Sequence, residues 1–178
     1  MNEIMIILGH TANGKTLKVD VSHGGLLVVG DRGTGKSYLL DRMRDSLVKV
    51  CDLAEPNMVT LLGLNNQLKA RQSCVRDVVL VVDDFDRLCD DLRAGLMNIA
   101  LKGHLIGAHV IASTSDIKAV DSLVLCAFRN IVSFKISMGT GLMNLPSDVK
   151  SLLVPGEGIL FSTVIHRTKF NTISTIMK

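Results

Sequence analysis

The chain has 178 residues, 47% of them hydrophobic, and a formal charge of +3. This length and apolar content suit one independently folding domain and exclude a disordered chain. The mild charge permits a nucleic-acid partner but does not argue for one, and an aromatic content of 3%, with no tryptophan, argues against a base-stacking platform.

Cys51, Cys74, Cys89 and Cys126 form no C-x-x-C clip, and no histidine stands at zinc-finger spacing from them. They read as reduced, mostly buried thiols of a cytoplasmic protein. The first residues, Met1 to Leu8, lack the basic segment and long apolar run of a signal peptide, and no stretch is long enough to span a bilayer. Direct membrane insertion is therefore not expected; a membrane-anchored partner would have to hold the protein at the inner face of a membrane.

Ile4 to Leu8 and Thr16 to Val21 read as strands around an Asn13-Gly14 hairpin signal. Gly25 to Gly30 reads as a buried strand, and Tyr38 to Val48 as a helix. Asn57 to Leu62 is expected to be a second core strand, and Asn65 to Gln72 a short helix or loop. Asp77 to Val82 is a β-branched run typical of a strand buried on both faces. Asp86 to Leu101 has helical periodicity through Leu88, Leu92, Leu96 and Ile99. Further strands are expected at Ala108 to Ser113 and Asn130 to Ile136, with a helix capped by Asp116 and running to Phe128 between them. Gly158 to Ile165 and Lys169 to Ile176 suggest a closing hairpin around His166-Arg167-Thr168. This alternation predicts an α/β fold with a mostly parallel sheet, flanking helices and a β-hairpin at each end, and the glycine-rich Gly30 to Ser37 between the third strand and its helix makes it a P-loop NTPase fold. Residues 1–178 read as one domain, with a lead-in ribbon over 1–22, a nucleotide-binding core over 23–137 and a C-terminal loop and hairpin over 138–178.

Between the third strand and its helix, Gly30-Asp31-Arg32-Gly33-Thr34-Gly35-Lys36-Ser37 is a complete G-x-x-x-x-G-K-[ST] motif. Its glycines allow backbone N–H groups to curl around a phosphate chain, and the helix N-terminus at Lys36, Ser37 and Tyr38 attracts the same charge. Lys36 is expected to reach the β- and γ-phosphates of ATP, and Ser37 to ligate Mg²⁺. Val78 to Val82 then ends in Asp83-Asp84, a Walker B pattern. Burial of this strand beside the P-loop strand is expected to bring Asp83 to the Mg²⁺, and Asp84 to orient or deprotonate an attacking water. Thr114, at the end of the next strand, is a candidate γ-phosphate sensor; capping the following helix is an equally good reading of its hydroxyl.

Several blocks resemble the FtsK/SpoIIIE/HerA group of P-loop motor ATPases. His23 to Gly30 is similar to its "PHLLVAG" entry strand, Val81 to Leu88 to "VIDEFADL", and Gly107 to Thr114 to "GIHLVLATQ". Ile131 to Ser137 resembles "RIAFRVS", and Leu153 to Phe161 resembles "LLGNGDMLF". The blocks keep the family's order, and the likeness extends to modules of type VII secretion motors and to compact viral genome-packaging ATPases. The resemblance implies a homo-oligomeric ring, hexameric in the family's manner, that hydrolyses ATP and translocates double-stranded DNA. It equally admits a weakly hydrolysing module that recognises a protein secretion substrate. Such rings take an arginine from a neighbouring subunit; Arg129 is the candidate, with Arg87 a second. The chain departs from the family in several places: Asp83 follows Ser37 by only 46 positions, Asp84 replaces the usual glutamate, Thr114 stands for the sensor glutamine, and Ile131 replaces the arginine of "RIAFRVS", with Arg129 two residues earlier. A docking groove between Leu142 to Pro146 and Leu152-Leu153 is a further candidate.

Overall fold

A computed structural model describes residues 3–116, 122–137, 155–162 and 167–172. Its described strands form one mixed sheet of nine in the order β2-β1-β9-β8-β7-β3-β6-β5-β4. The parallel half comprises β3 (Leu26–Val29), β4 (Asp52–Ala54), β5 (Val78–Val82), β6 (Ala108–Thr114) and β7 (Asn130–Ser133). These strands pair in parallel throughout. All four residues of β3 and all seven of β6 are buried, as a sheet covered on both faces requires.

The antiparallel half is a continuation of the same sheet. The hairpin of β1 (Met5–His10) and β2 (Thr16–Asp20) meets the hairpin of β8 (Glu157–Ser162) and β9 (Arg167–Asn171) at His10 and Asn171. β8 in turn runs antiparallel to β7. Two hairpins that look separate in the sequence thus become one wing flanking the parallel core. Alternation in β1 puts Ile6 and Leu8 in the core and leaves Met5 and Ile7 exposed.

Two apolar layers cover the sheet. One packs α1 (Lys36–Leu47), through Leu39, Leu40, Met43 and Leu47, against Val28, Val79, Val81 and Ile111. The other packs α2 (Met58–Ala70), α3 (Asp90–Lys102) and α4 (Ser122–Ala127) against Leu27, Val29, Leu80, Val82 and Val110.

The expected strand over Asn57 to Leu62 is wrong. The segment opens α2, because the Asn57 side chain accepts the Thr60 N–H at 2.9 Å as an N-cap, and Leu61, Leu64 and Leu68 repeat at helical spacing against α3. The second parallel strand is the short Asp52–Ala54 instead, an edge strand too brief and too polar to show periodicity. The helix expected from Asp86 is also divided: a 3-10 turn spans Phe85–Arg87, and α3 starts at Asp90. The thiols are less buried than expected, since Cys89 and Cys126 are exposed; all four cysteines are free. The Leu142 to Pro146 and Leu152-Leu153 groove, His166 and the first half of the Asp116 to Phe128 helix lie outside the described residues.

Candidate functional site

The P-loop leaves the C-terminal end of β3, with Gly33 at φ 76° and Gly35 at φ 106°, left-handed values that a side chain would strain. The loop is clamped from three sides. The Thr34 hydroxyl donates to Asp31 O at 2.8 Å, and the Asp31 N–H donates to Lys135 O at 2.8 Å. The Ser137 N–H donates to the Asp31 carboxylate at 2.8 Å, and the Gly156 N–H to Thr34 O at 2.9 Å. Residues beyond β7 and before β8 therefore hold the loop's shape, a role that no motif in those segments announced.

Lys36 is almost entirely buried. Its Nζ donates to Gly30 O at 2.9 Å and Asp31 O at 3.0 Å, across the mouth of the loop. Burial lowers the Lys36 pKa, and the charges of Asp84, Asp83, Asp31 and Asp86 oppose that shift. The carboxylates thus favour the ammonium form that a phosphate contact needs.

Asp83 follows β5 directly. The strands differ from the expected order: β6 lies between β3 and β5, so the Walker B strand is one place removed from the P-loop strand. The contact survives because Ser37, in the first turn of α1, reaches over β6 and donates to Asp83 at 2.6 Å. β6 adds Ser113, fully buried, whose hydroxyl donates to the other Asp83 oxygen and accepts the Asp84 N–H at 3.0 Å. Burial pushes the Asp83 pKa up, but the hydrogen bonds from Ser113, Ser37 and the Asp84 N–H and the charge of Lys36 outweigh it, leaving the carboxyl below its ordinary value. A serine at the end of an apolar strand carries no sequence signal that separates this role from a helix cap.

Asp84 has left-handed backbone angles, φ 51° and ψ 56°. An aspartate tolerates this region better than a branched or bulky residue. Its carboxylate accepts from the Ser115 hydroxyl at 3.4 Å and pairs with Arg87 Nε at 3.4 Å. Thr114, the sensor candidate, is buried and donates to Asp86 Oδ1 at 2.5 Å, while the Asp116 N–H donates to Thr114 at 3.0 Å. Ser115, rather than Thr114, faces the adjoining space, a cavity of about 480 Å³ lined by Asp31, Arg32, Asp86, Arg87, Ser115, Asp116 and Ser137. Tyr38 is exposed at the rim of α1, with the Arg42 guanidinium 5.9 Å from its ring centre.

Arg129 is elsewhere. Leu26 pairs with Asn130 and Val29 with Ser133, so Arg129 lies at the start of the strands and the P-loop beyond their end. Four residues of strand separate them, about 13 Å. There the Arg129 side chain packs on the Gly24 backbone. It does not reach the P-loop of its own chain.

Ser37 and Asp83 present hard oxygen donors of the kind Mg²⁺ takes, alongside phosphates and water. Among the described residues no cluster of three or more His, Cys, Asp or Glu side chains could hold a metal ion.

No protein-family model and no curated protein matches this chain. Solved structures do. ATPases 2 and 3 of Thermomonospora curvata EccC, in complex with a signal sequence peptide, superpose with a TM-score of 0.70 at 16% identity, over 96% of this chain and 40% of that one. The pCW3 conjugation coupling protein TcpA, with ATPγS, gives 0.68 at 13% identity, over 96% and 66%. The fold is that of the FtsK/SpoIIIE-type motor ATPases. The DNA-packaging ATPase B204 of Sulfolobus turreted icosahedral virus gives 0.63 at 15% identity, over 84% of this chain and 98% of that one. This chain therefore spans less than half of the EccC chain and matches B204 over nearly its whole length. No helix among its described residues is long and apolar enough to cross a membrane.

Proposed function

We propose that this chain is a Mg²⁺-dependent ATPase module of a DNA-translocating motor. The observation that carries the reading is the junction of Lys36, Ser37, Asp83 and Asp84 at the C-terminal ends of β3 and β5. Gly30 to Ser37 cradle the phosphates, and Lys36 neutralises the β- and γ-oxygens. Ser37 and Asp83 would hold Mg²⁺, which supplies charge stabilisation to the phosphates when bound. Asp84 orients the attacking water and accepts its proton. The names of TcpA, a conjugation coupling protein, and B204, a DNA-packaging ATPase, support DNA as cargo.

In this reading the module works as a homo-oligomeric ring, in the cytoplasm. Arg129, remote from its own P-loop, serves a neighbour's site if it serves any. The testing experiment is ATP turnover with and without double-stranded DNA, with Lys36→Ala as control. DNA-stimulated turnover that Lys36→Ala abolishes supports the motor; nucleotide binding without turnover refutes it.

A second reading, a slowly hydrolysing module that binds a protein partner, is favoured by the engagement of Asp84 with Arg87 and Ser115. The signal sequence peptide on EccC points the same way. Turnover stimulated by a secreted peptide and indifferent to DNA would select it.

A further inference from the structure

The turn after β5 holds three of its residues by burial or hydrogen bonds and leaves the side chain of the fourth, Arg87, largely exposed. Phe85 is completely buried in the apolar layer beneath the helices. Asp86 is tied by its carboxylate to Thr114 and by its carbonyl to Arg93 Nη2 at 2.6 Å. Asp84 is fixed through its N–H on Ser113 and through its carbonyl, which accepts the Arg87 N–H at 2.9 Å. The left-handed angles at Asp84 fold the chain back so that the Arg87 side chain returns over the Asp84 carboxylate. That side chain is 59% exposed and borders the same cavity as Arg32 and Asp31 of the P-loop. Asp84 is its ion partner among the described residues.

We infer that Arg87 is a phosphate-sensing arginine that acts within its own chain and restrains Asp84 until a nucleoside triphosphate binds. The inference rests on the ATPase reading above and adds a switch to it. A half-exposed pair at 3.4 Å is weak and easily exchanged. A terminal phosphate offers the guanidinium two oxygens and more charge than one carboxylate. With Arg87 drawn to the γ-phosphate, the Asp84 carboxylate is released from its ion pair and is free to accept a hydrogen bond from the attacking water. A diphosphate lacks the group that competes, so the Arg87–Asp84 pair persists and the site stays restrained. Arg87 thereby supplies in cis the charge that ring motors commonly take from a neighbour.

Two measurements on the full chain test this. The first is the affinity of Arg87→Ala for a non-hydrolysable ATP analogue and for ADP, both with Mg²⁺. The expected result is a roughly tenfold loss for the triphosphate, equivalent to about 1.4 kcal/mol, with ADP changed less than about twofold. Equal losses for both nucleotides, or none, would overturn the inference. The second mixes Arg87→Ala with Lys36→Ala subunits. A cis arginine predicts no recovery of turnover, because neither subunit carries both groups; recovery would show that Arg87 acts across an interface and would refute the cis role. Thermal unfolding of Arg87→Ala checks folding, and Arg87→Lys should recover part of the preference for triphosphate. Failure of the wild-type chain to bind either nucleotide would overturn the ATPase reading itself, an outcome distinct from the two above.

Discussion

Ser37 Oγ donates to Asp83 Oδ2 at 2.6 Å, joining the first turn of α1 to the end of β5 across the intervening β6. The two oxygens stand where a cation would take one ligand from each motif. Asp83→Asn and Ser37→Ala should each lower ATP turnover about 10²-fold or more, in line with losing one preorganised electrostatic contact. A Mg²⁺ titration of nucleotide binding checks the assignment: Asp83→Asn should need markedly more Mg²⁺ than the wild type. An unchanged titration would remove Asp83 from the cation site.

Lys36 bridges Gly30 O and Asp31 O within the loop that would receive phosphate. Lys36→Ala should weaken ATP binding about 100-fold, a loss of roughly 2.7 kcal/mol, while unfolding stays cooperative. Calorimetric titration beside a thermal melt separates lost binding from lost folding.

Ser113 joins both Walker B aspartates, donating to Asp83 and accepting from the Asp84 N–H. Ser113→Ala leaves that N–H without its partner and should cost about 1–3 kcal/mol. The pH dependence should change as well. The Asp83 pKa is lowered in the folded state, burial being outweighed by its hydrogen bonds. Its contribution to stability is therefore full above the ordinary value of 3.8 and is lost as pH falls through the lower folded value. Without Ser113 the folded pKa moves back up and this contribution shrinks. Urea unfolding from pH 7 to pH 3 should show a smaller acid-dependent loss in the variant than in the wild type.

His109 is buried in β6, with Nε2 3.7 Å from Asp77 Oδ1. Burial lowers its pKa against the opposing pull of Asp77. The unfolded chain then binds a proton more readily, so stability is full above the ordinary value of 6.5 and declines as pH falls from there through the folded pKa. His109→Gln should flatten urea-unfolding stability between pH 7.5 and pH 5. His104, also lowered by burial, would leave a residual slope. An unchanged slope would show that His109 does not carry this dependence.

Phe85 is wholly buried at the turn that presents Asp84 and Arg87. Phe85→Ala should cost about 3–5 kcal/mol through the cavity it leaves. Chemical denaturation measures that cost. Phe85→Leu should retain most of the stability, and comparing its turnover with that of the wild type reports whether the turn must be rigid for the chemistry.

The sequence shows local, repetitive or chemically singular features well. The P-loop is legible because its glycines and Lys36 serve one contiguous geometry. Val78 to Val82 is legible because a strand buried on both faces must be apolar throughout. Features whose partners lie far along the chain are not legible. Asn57 to Leu62 looks like a strand until the Asn57 cap and the packing of Leu61 and Leu64 on α3 favour a helix. Asp52–Ala54 becomes a strand only because β5 offers it an edge.

The same division runs through the candidate site. Residue chemistry alone marked Lys36, Ser37, Asp83 and Asp84 as a phosphate and cation set, since few other uses require those groups at those positions. Tertiary structure put β6 between the two motifs, brought Ser113 to both aspartates, turned Thr114 toward Asp86 and sent Arg129 to the far end of the strands. Strand order, the direction of a hydroxyl and the reach of an arginine depend on packing between segments distant in the chain. No short stretch of sequence contains both partners of such a contact, so only the folded chain decides it.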